Sequence, residues 1–235
     1  MTNIAETGRL RHREEGGYSR GEQTRRRLID VAISLFGKHG YEGASTRDIA
    51  RQAGVNTPAL QYYFDNKEGL YKACADHLME AAEAHFTPVL DDVEVILNNP
   101  QTSREALIEA FLRLQDTIAD YLLCDEQAQK RALFLAQEQA GHGGLADPLR
   151  SLNKQRVTQV GIALVARLSD CDVDNPQVLL RLITTNGQLM VFHIMPRAAM
   201  ESMGWQDFSG DNLKMLKETV RTQTRALIDS WKRQD

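Results

Sequence analysis

The twelve residues "AGVNTPALQYYF", Ala53 to Phe64, set a glycine and a helix-starting proline four positions apart. No other feature constrains the chain as tightly, because the spacing leaves room only for a sharp turn and then a very short helix. Short helices are marginal in isolation, so this one must be held by neighbours. Gly54 supplies the φ > 0 that such a turn demands. Thr57 reads as the N-cap of the helix, with Pro58 at N1, where a missing N–H costs nothing.

The flanking residues supply the neighbours. Leu28, Ala32, Leu35 and Phe36 recur at i, i+4, i+7 and i+8, one face of a helix that Gly40 ends. Ser45 caps the next helix, and Asp48 stands three residues on, near the positive helix end. That second helix runs to about Gln52. Ile49, Ala50, Ala53, Val55, Leu60 and Tyr63 are the apolar or small residues at the positions a helix-turn-helix turns inward. Asp65-Asn66 closes the third helix, and "NKEGLYKACADHLMEAAEAHF" reads as a longer fourth, ending before Pro88.

Beyond Pro88 the pattern stays helical. Helices are predicted near 88–97, 103–123, 126–139, 147–169, 175–198 and 211–233, with breaks at Pro100, "GHGG", "SDCDVDNP" and "GWQDFSGDN". No convincing strand-like alternation, repeat or low-complexity tract interrupts them, so the expected fold is all-α. The expected organisation is a tail over 1–19, a helix-turn-helix domain over 20–66 and a larger helical domain over 67–235. The tail carries Arg9, Arg11 and Arg13 and little to bury. It reads as disordered or as a basic arm that adds phosphate or minor-groove contacts.

Charge agrees with this division. The net charge is −4, yet residues 1–67 hold 11 Lys/Arg against 8 Asp/Glu, and residues 68–235 hold 17 against 24. The front part is therefore basic by +3 and the rest acidic by −7. The polar start lacks the apolar stretch of a secretory signal, and no apolar run approaches the ~18 residues of a membrane helix. Cys74, Cys124 and Cys171 are widely spaced and form no CxxC pair. They read as reduced thiols in a cytoplasmic protein.

The outward residues carry the chemistry of DNA contact. Thr46, Arg47, Asn56, Thr57 and Gln61 are donors or acceptors suited to base edges or phosphates. Arg47 matches the bidentate edge of guanine and Gln61 that of adenine. Tyr62 and Tyr63 offer hydroxyls to phosphate, and Lys67 is a point charge at the start of the fourth helix. A short helix projecting end-on from a rigid turn fits a major groove. Enzyme motifs are missing. The histidines at 12, 39, 77, 85, 142 and 193 show no HxxxH or HExxH spacing, and there is no GxGxxG or P-loop. Cys74 and His77 offer two metal ligands, too few for a site. No cofactor or metal is expected.

The stretch "STRDIARQAGVNTPALQYYFDNKEGLY", with "TRRRLIDVAISLFGKHGYEGAS" before it, resembles the tetracycline-repressor (TetR) family of bacterial regulators. "QEQ" at 137–139, "CDVDN" at 171–175, "NGQLMVFH" at 186–193 and "GWQDF" at 204–208 are similar to the CecR-type subgroup. The resemblance implies DNA contacts at Ser45, Thr46, Arg47, Thr57, Pro58, Ala59, Gln61, Tyr63 and Lys67. Gln61 stands where the family often has tyrosine, and Gln137 where the subgroup often has arginine.

The resemblance further implies a homodimer whose last two long helices build a four-helix bundle. Two stripes at near-heptad spacing are the candidates: Leu179, Leu182, Ile183, Leu189 and Met190, then Leu213, Leu216, Val220, Leu227 and Trp231. The alternative is that both stripes are the chain's own core. The same resemblance implies an effector pocket in the helices between 88 and 170. The polar candidates are Tyr121, Arg131, Gln137, Glu138, His142, Asn186 and His193. The resulting reading is a dimeric regulator that represses from a palindromic operator and is released by a small molecule. The alternatives are a DNA-binding factor without a ligand and a helical protein-interaction module.

Overall fold

The computed structural model describes residues 20–124, 126–141 and 152–231, so the tail, His142, residues 147–151 of the predicted seventh helix and positions 232–233 lie outside the described residues. Among the described residues are ten helices: α1 (Arg20–Gly43), α2 (Thr46–Gln52), α3 (Thr57–Phe64), α4 (Lys67–Asn98), α5 (Arg104–Leu123), α6 (Glu126–Gln139), α7 (Leu152–Ser169), α8 (Pro176–Ile194), α9 (Pro196–Met203) and α10 (Gly210–Ser230). No strand occurs among the described residues.

Three boundaries differ from expectation, each for a local reason. The N-cap of α3 is Asn56, whose Oδ1 accepts from the Ala59 N–H at 2.9 Å, and Thr57 is already helical. An Asn side chain caps at least as well as Thr, and the pair shifts the cap by one residue. Pro88 does not end the fourth helix but lies inside α4. It removes one backbone hydrogen bond, while Phe86, Leu90 and Val93 on either side stay buried in a shared core and hold the helix together. The helix predicted over 175–198 instead breaks at Met195 (φ −124°, ψ 53°), because Pro196 pushes the residue before it out of the helical region. The resulting pair, α8 and α9, is bent by 86°, and no single described helix is long and apolar enough to cross a membrane.

Packing divides into three clusters. The first gathers α1, α2, α3 and the start of α4 around Leu28, Phe36, Ile49, Leu60 and Tyr71, all nearly inaccessible. This core runs past Lys67 through Leu70, Cys74 and Leu78, and it also takes in Phe134 from α6. The second joins α4, α5, α7, α8 and the end of α10, and the third joins α5, α8 and α10. A ladder of ion pairs ties α5 to α10: Lys217 to Asp120 (2.8 Å), Arg221 to Asp116 (2.7 Å) and Arg225 to Glu105 (2.9 Å). The steps of four residues on α10 keep the cations on one face. Being partly exposed, each pair adds at most about 1 kcal/mol.

Candidate nucleic-acid interface

The reading head is built from caps and one sharp corner. Ser45 accepts from the Asp48 N–H at 3.0 Å and donates its hydroxyl to the Asp48 carboxylate at 2.6 Å, which starts α2. The Ser45 hydroxyl's hydrogen bond holds the Asp48 carboxyl below the usual range, and the Arg51 guanidinium 2.5 Å away adds to this. Gly54 takes φ 67° and turns the chain into α3. Ala50 and Ala53, both buried, let α2 and α3 close on each other.

The far end of α3 is fixed by a glycine that sequence reasoning did not single out. A Cβ on Gly69 would sit 2.2 Å from the Phe64 carbonyl oxygen. Only a residue without a side chain lets the first turn of α4 pass so close to the end of α3. Asn66 caps α4 by accepting from the Gly69 N–H at 2.8 Å. Lys67 folds back, its Nζ 3.4 Å from the Glu42 carbonyl oxygen and 4.6 Å over the Tyr41 ring. It fastens α4 to the end of α1 and leaves its charge at the corner.

The sequence-predicted contacts therefore sort by position. Arg47, Pro58, Gln61 and Tyr62 are exposed, Tyr62 at 83%. Thr46, Thr57 and Ala59 are half-buried along the start of the two helices. Tyr63 is half-buried against the core, with its ring 5.3 Å from that of Tyr62. Ser45 and Asn56 are exposed, but their side-chain oxygens are engaged in capping. What remains is a bidentate cation, an amide and a phenol on two rigid, capped helices, with N-terminal amides that favour anions.

The seven effector candidates do not form one site. Tyr121 and Arg131 meet, with the guanidinium 4.4 Å over the ring and one Nη donating to the Tyr121 carbonyl. His193 stands near them, its Nδ1 3.4 Å from the Leu122 carbonyl oxygen. Gln137 and Glu138 face the reading head instead: Gln137 donates to the Gly37 carbonyl at 3.4 Å, and the Tyr71 hydroxyl donates to Glu138. Both sit apart from the other candidates, because α6 lays that end along α1. Asn186 lines a separate cleft between α5, α7 and α8. His142 lies outside the described residues.

The proposed interface stripes also divide. Leu182, Leu189, Leu213, Leu216, Val220 and Trp231 are buried within the chain's own core, as the alternative reading of the stripes has it. The reason is geometric: the 3.6-residue period turns these positions toward α5 and α7, one face round from solvent. Leu179, Ile183, Met190 and Leu227 are exposed, joined by Leu180, Val191, Ile194 and Met215, which the stripe pattern missed. Gly187 lies on the same open face of α8, where a Cβ would meet nothing.

The likenesses to known proteins match this architecture. Residues 28–74 fit the family model for bacterial regulatory proteins of the tetR family. Residues 107–230, more than half of the chain, fit that for the C-terminal domain of the HTH-type transcriptional dual regulator CecR. The sequence is 29% identical over 209 residues to the HTH-type transcriptional dual regulator CecR of Shigella flexneri, spanning 86% of this chain and 89% of that protein. It is 32% identical over 83 residues to the class A tetracycline repressor from transposon 1721 of Escherichia coli, spanning 34% of this chain and 38% of that one. Among solved structures, the TetR-family regulator PfmR from Thermus thermophilus superposes with a TM-score of 0.54 at 19% identity, covering 86% of this chain and 94% of that one. AibR, in complex with isovaleryl coenzyme A and operator DNA, superposes at 0.56 with 16% identity, covering 84% and 96%. These last two show the fold alone. Helix-turn-helix, all-helical architecture and both family models agree: the chain belongs to the TetR family of DNA-binding transcriptional regulators, which are not enzymes, and carries a CecR-type C-terminal domain.

Proposed function

We propose that this regulator represses transcription as a homodimer on a palindromic operator and leaves the DNA when a small molecule binds its C-terminal domain. The observation that carries the reading is the exposed apolar face of α8 and α10. Leu180 (59% exposed), Ile183 (60%) and Ile194 (69%) stand on one side of α8 around Gly187. Few soluble chains leave such a strip bare, and a second copy of the same face covers it by two-fold symmetry. The symmetry would set two reading heads about 34–36 Å apart, one turn of duplex, which makes the operator a palindrome.

Release follows if a ligand binds one arrangement of the helices better than the other. The direct contacts of α6 with α1 through Gln137, and with Tyr71 of α4 through Glu138, support a mechanical link between the C-terminal helices and the reading heads. Similarity to a dual regulator over most of the chain favours a second reading, in which the sign of regulation depends on the promoter. Selection from random duplex DNA tests the proposal. The expected result is an enriched palindrome with half-sites about one turn apart. Enrichment of single half-sites, or none from folded protein, overturns it.

A further inference from the structure

We infer that the cleft between α5, α7 and α8 takes the uncharged, hydrogen-bonding head group of an otherwise apolar small molecule, an amide or carbonyl compound. This deepens the effector reading above and rests on it. The cleft holds about 50 Å³ and has Phe111, Ile118, Val157 and Leu182 among its walls. A water molecule occupies about 30 Å³ of the liquid, so the space suits one small functional group, with the rest of a ligand lying toward the mouth.

Three neutral polar side chains from three helices line this apolar space: Gln115 of α5, Thr158 of α7 and Asn186 of α8. Gln115 is 2% exposed. Its Nε2 donates to the Thr185 carbonyl at 3.3 Å, and its Oε1 accepts from the Thr224 hydroxyl at 2.8 Å. One N–H and one lone pair of that amide are left over. Thr158 is exposed and Asn186 half-buried, and neither side chain hydrogen-bonds another described residue. No charged side chain lines the cleft. A carboxylate or ammonium placed there would lose its water without gaining a counter-charge, a cost that excludes it. A neutral group with both donor and acceptor meets what the cleft offers.

The polar base of the cleft also connects it to the exposed face. Thr224 belongs to α10 and Thr185 to α8, and Gln188 Nε2 reaches both, at 3.2 and 3.0 Å. The Gln188 Oε1 of the same network is buried without a partner. A head group that hydrogen-bonds Gln115 is thus coupled, through Thr185 and Thr224, to the two helices proposed to carry the dimer. A larger groove of about 1590 Å³ selects no one chemistry. It is lined by both signs of charge, and the guanidiniums of Arg104 and Arg167 there already donate to helix-end carbonyls.

Butanamide and butanoate, matched in size and differing in charge, test the assignment on the full chain. Butanamide should shift the side-chain NH₂ resonances of Asn186 and Gln115 in a ¹⁵N-correlated NMR titration, and butanoate at equal concentration should not. Asn186→Leu and, separately, Thr158→Val should each weaken butanamide binding at least several-fold with an unchanged melting temperature. Equal shifts from both compounds, no shift from butanamide, or undiminished binding by both variants overturns the proposal. Operator binding by the same preparation separates the two readings. Protein that binds operator but ignores butanamide loses only this assignment. Protein that takes butanamide but selects no palindrome keeps the cleft and loses the operator model.

Discussion

Phe134 of α6 stacks on Tyr71 of α4 inside the core of the DNA-binding unit, the ring centroids 4.9 Å apart and the planes at 28°. Phe36 of α1 closes the cluster, edge-on to both rings. A residue from the middle of the C-terminal helices is therefore part of the hydrophobic core that holds the reading head. Gly37 makes the approach possible, since a Cβ there would lie 3.0 Å from Leu133 Cβ and from the Phe134 nitrogen. The reading head cannot shift without α6 following or the cluster opening.

Phe134→Ala should remove that shared packing. A fully buried phenylalanine cut to alanine costs about 3–5 kcal/mol. Denaturant unfolding should show the loss first in the DNA-binding unit, with operator affinity falling alongside. A loss below about 1 kcal/mol would mean that α6 is only loosely seated on α1.

Gly69→Ala should force the corner between α3 and α4 apart, because the new methyl meets a backbone carbonyl rather than a flexible side chain. Overpacking of this kind costs about 1–3 kcal/mol. Operator binding measured by anisotropy should weaken more than the melting temperature accounts for, since the reading helix is re-aimed. Unchanged affinity would remove the corner from the features that position α3.

Arg47→Ala, at an exposed position with no packing role, should leave stability unchanged and cost about 1–3 kcal/mol of operator binding. The preference at one base pair of each half-site should relax. A uniform loss across all sequences would instead mark Arg47 as a phosphate contact.

Ile183→Glu with Ile194→Glu should yield monomers in sedimentation, because both side chains are exposed on the bare face of α8. Surface changes like these shift intrinsic stability by about 0.5 kcal/mol or less. Substituting Leu216 would not make this test, as that side chain is 4% exposed and its replacement would destabilise the chain's own core. A persistent dimer would place the interface elsewhere.

Acid should destabilise the protein through His193. Burial lowers its pKa from the ordinary 6.5; the Leu122 carbonyl opposes this and the Arg131 charge adds to it. Between the lowered native value and 6.5, the unfolded chain binds the proton and the folded chain does not. The stability due to the neutral ring is therefore complete above about pH 6.5 and is lost as pH falls through that window. His193→Gln should flatten the pH dependence of unfolding there. An unaltered slope would assign it to other groups.

Much of the reading head was legible in the residues. Gly54, Ser45-to-Asp48 and the small inward residues Ala50 and Ala53 act locally, through backbone freedom, capping and close approach, and local rules anticipated each of them. The cap of α3 fell one residue earlier because Asn56 and Thr57 both qualify and only backbone geometry chooses between them. Gly69 escaped notice since a glycine in a first helical turn says nothing about the carbonyl it must clear. Gln115 did carry a signal. It falls four residues after Phe111 and eight after Leu107, on a stripe otherwise apolar, and its burial follows from that register.

The sequence by itself determined the helices, the helix-turn-helix and the basic front against an acidic remainder, because those depend on neighbours within a few positions. Only the tertiary structure decided which partners distant helices take. It put Gln137 against α1 and Glu138 against Tyr71 of α4, turned Leu216 and Val220 inward and left Ile183 and Ile194 bare. It also carried Pro88 through α4 where a break was expected. The physical reason is that an amphipathic helix states which of its faces is apolar but not what will cover that face. That choice belongs to packing between segments far apart in the chain.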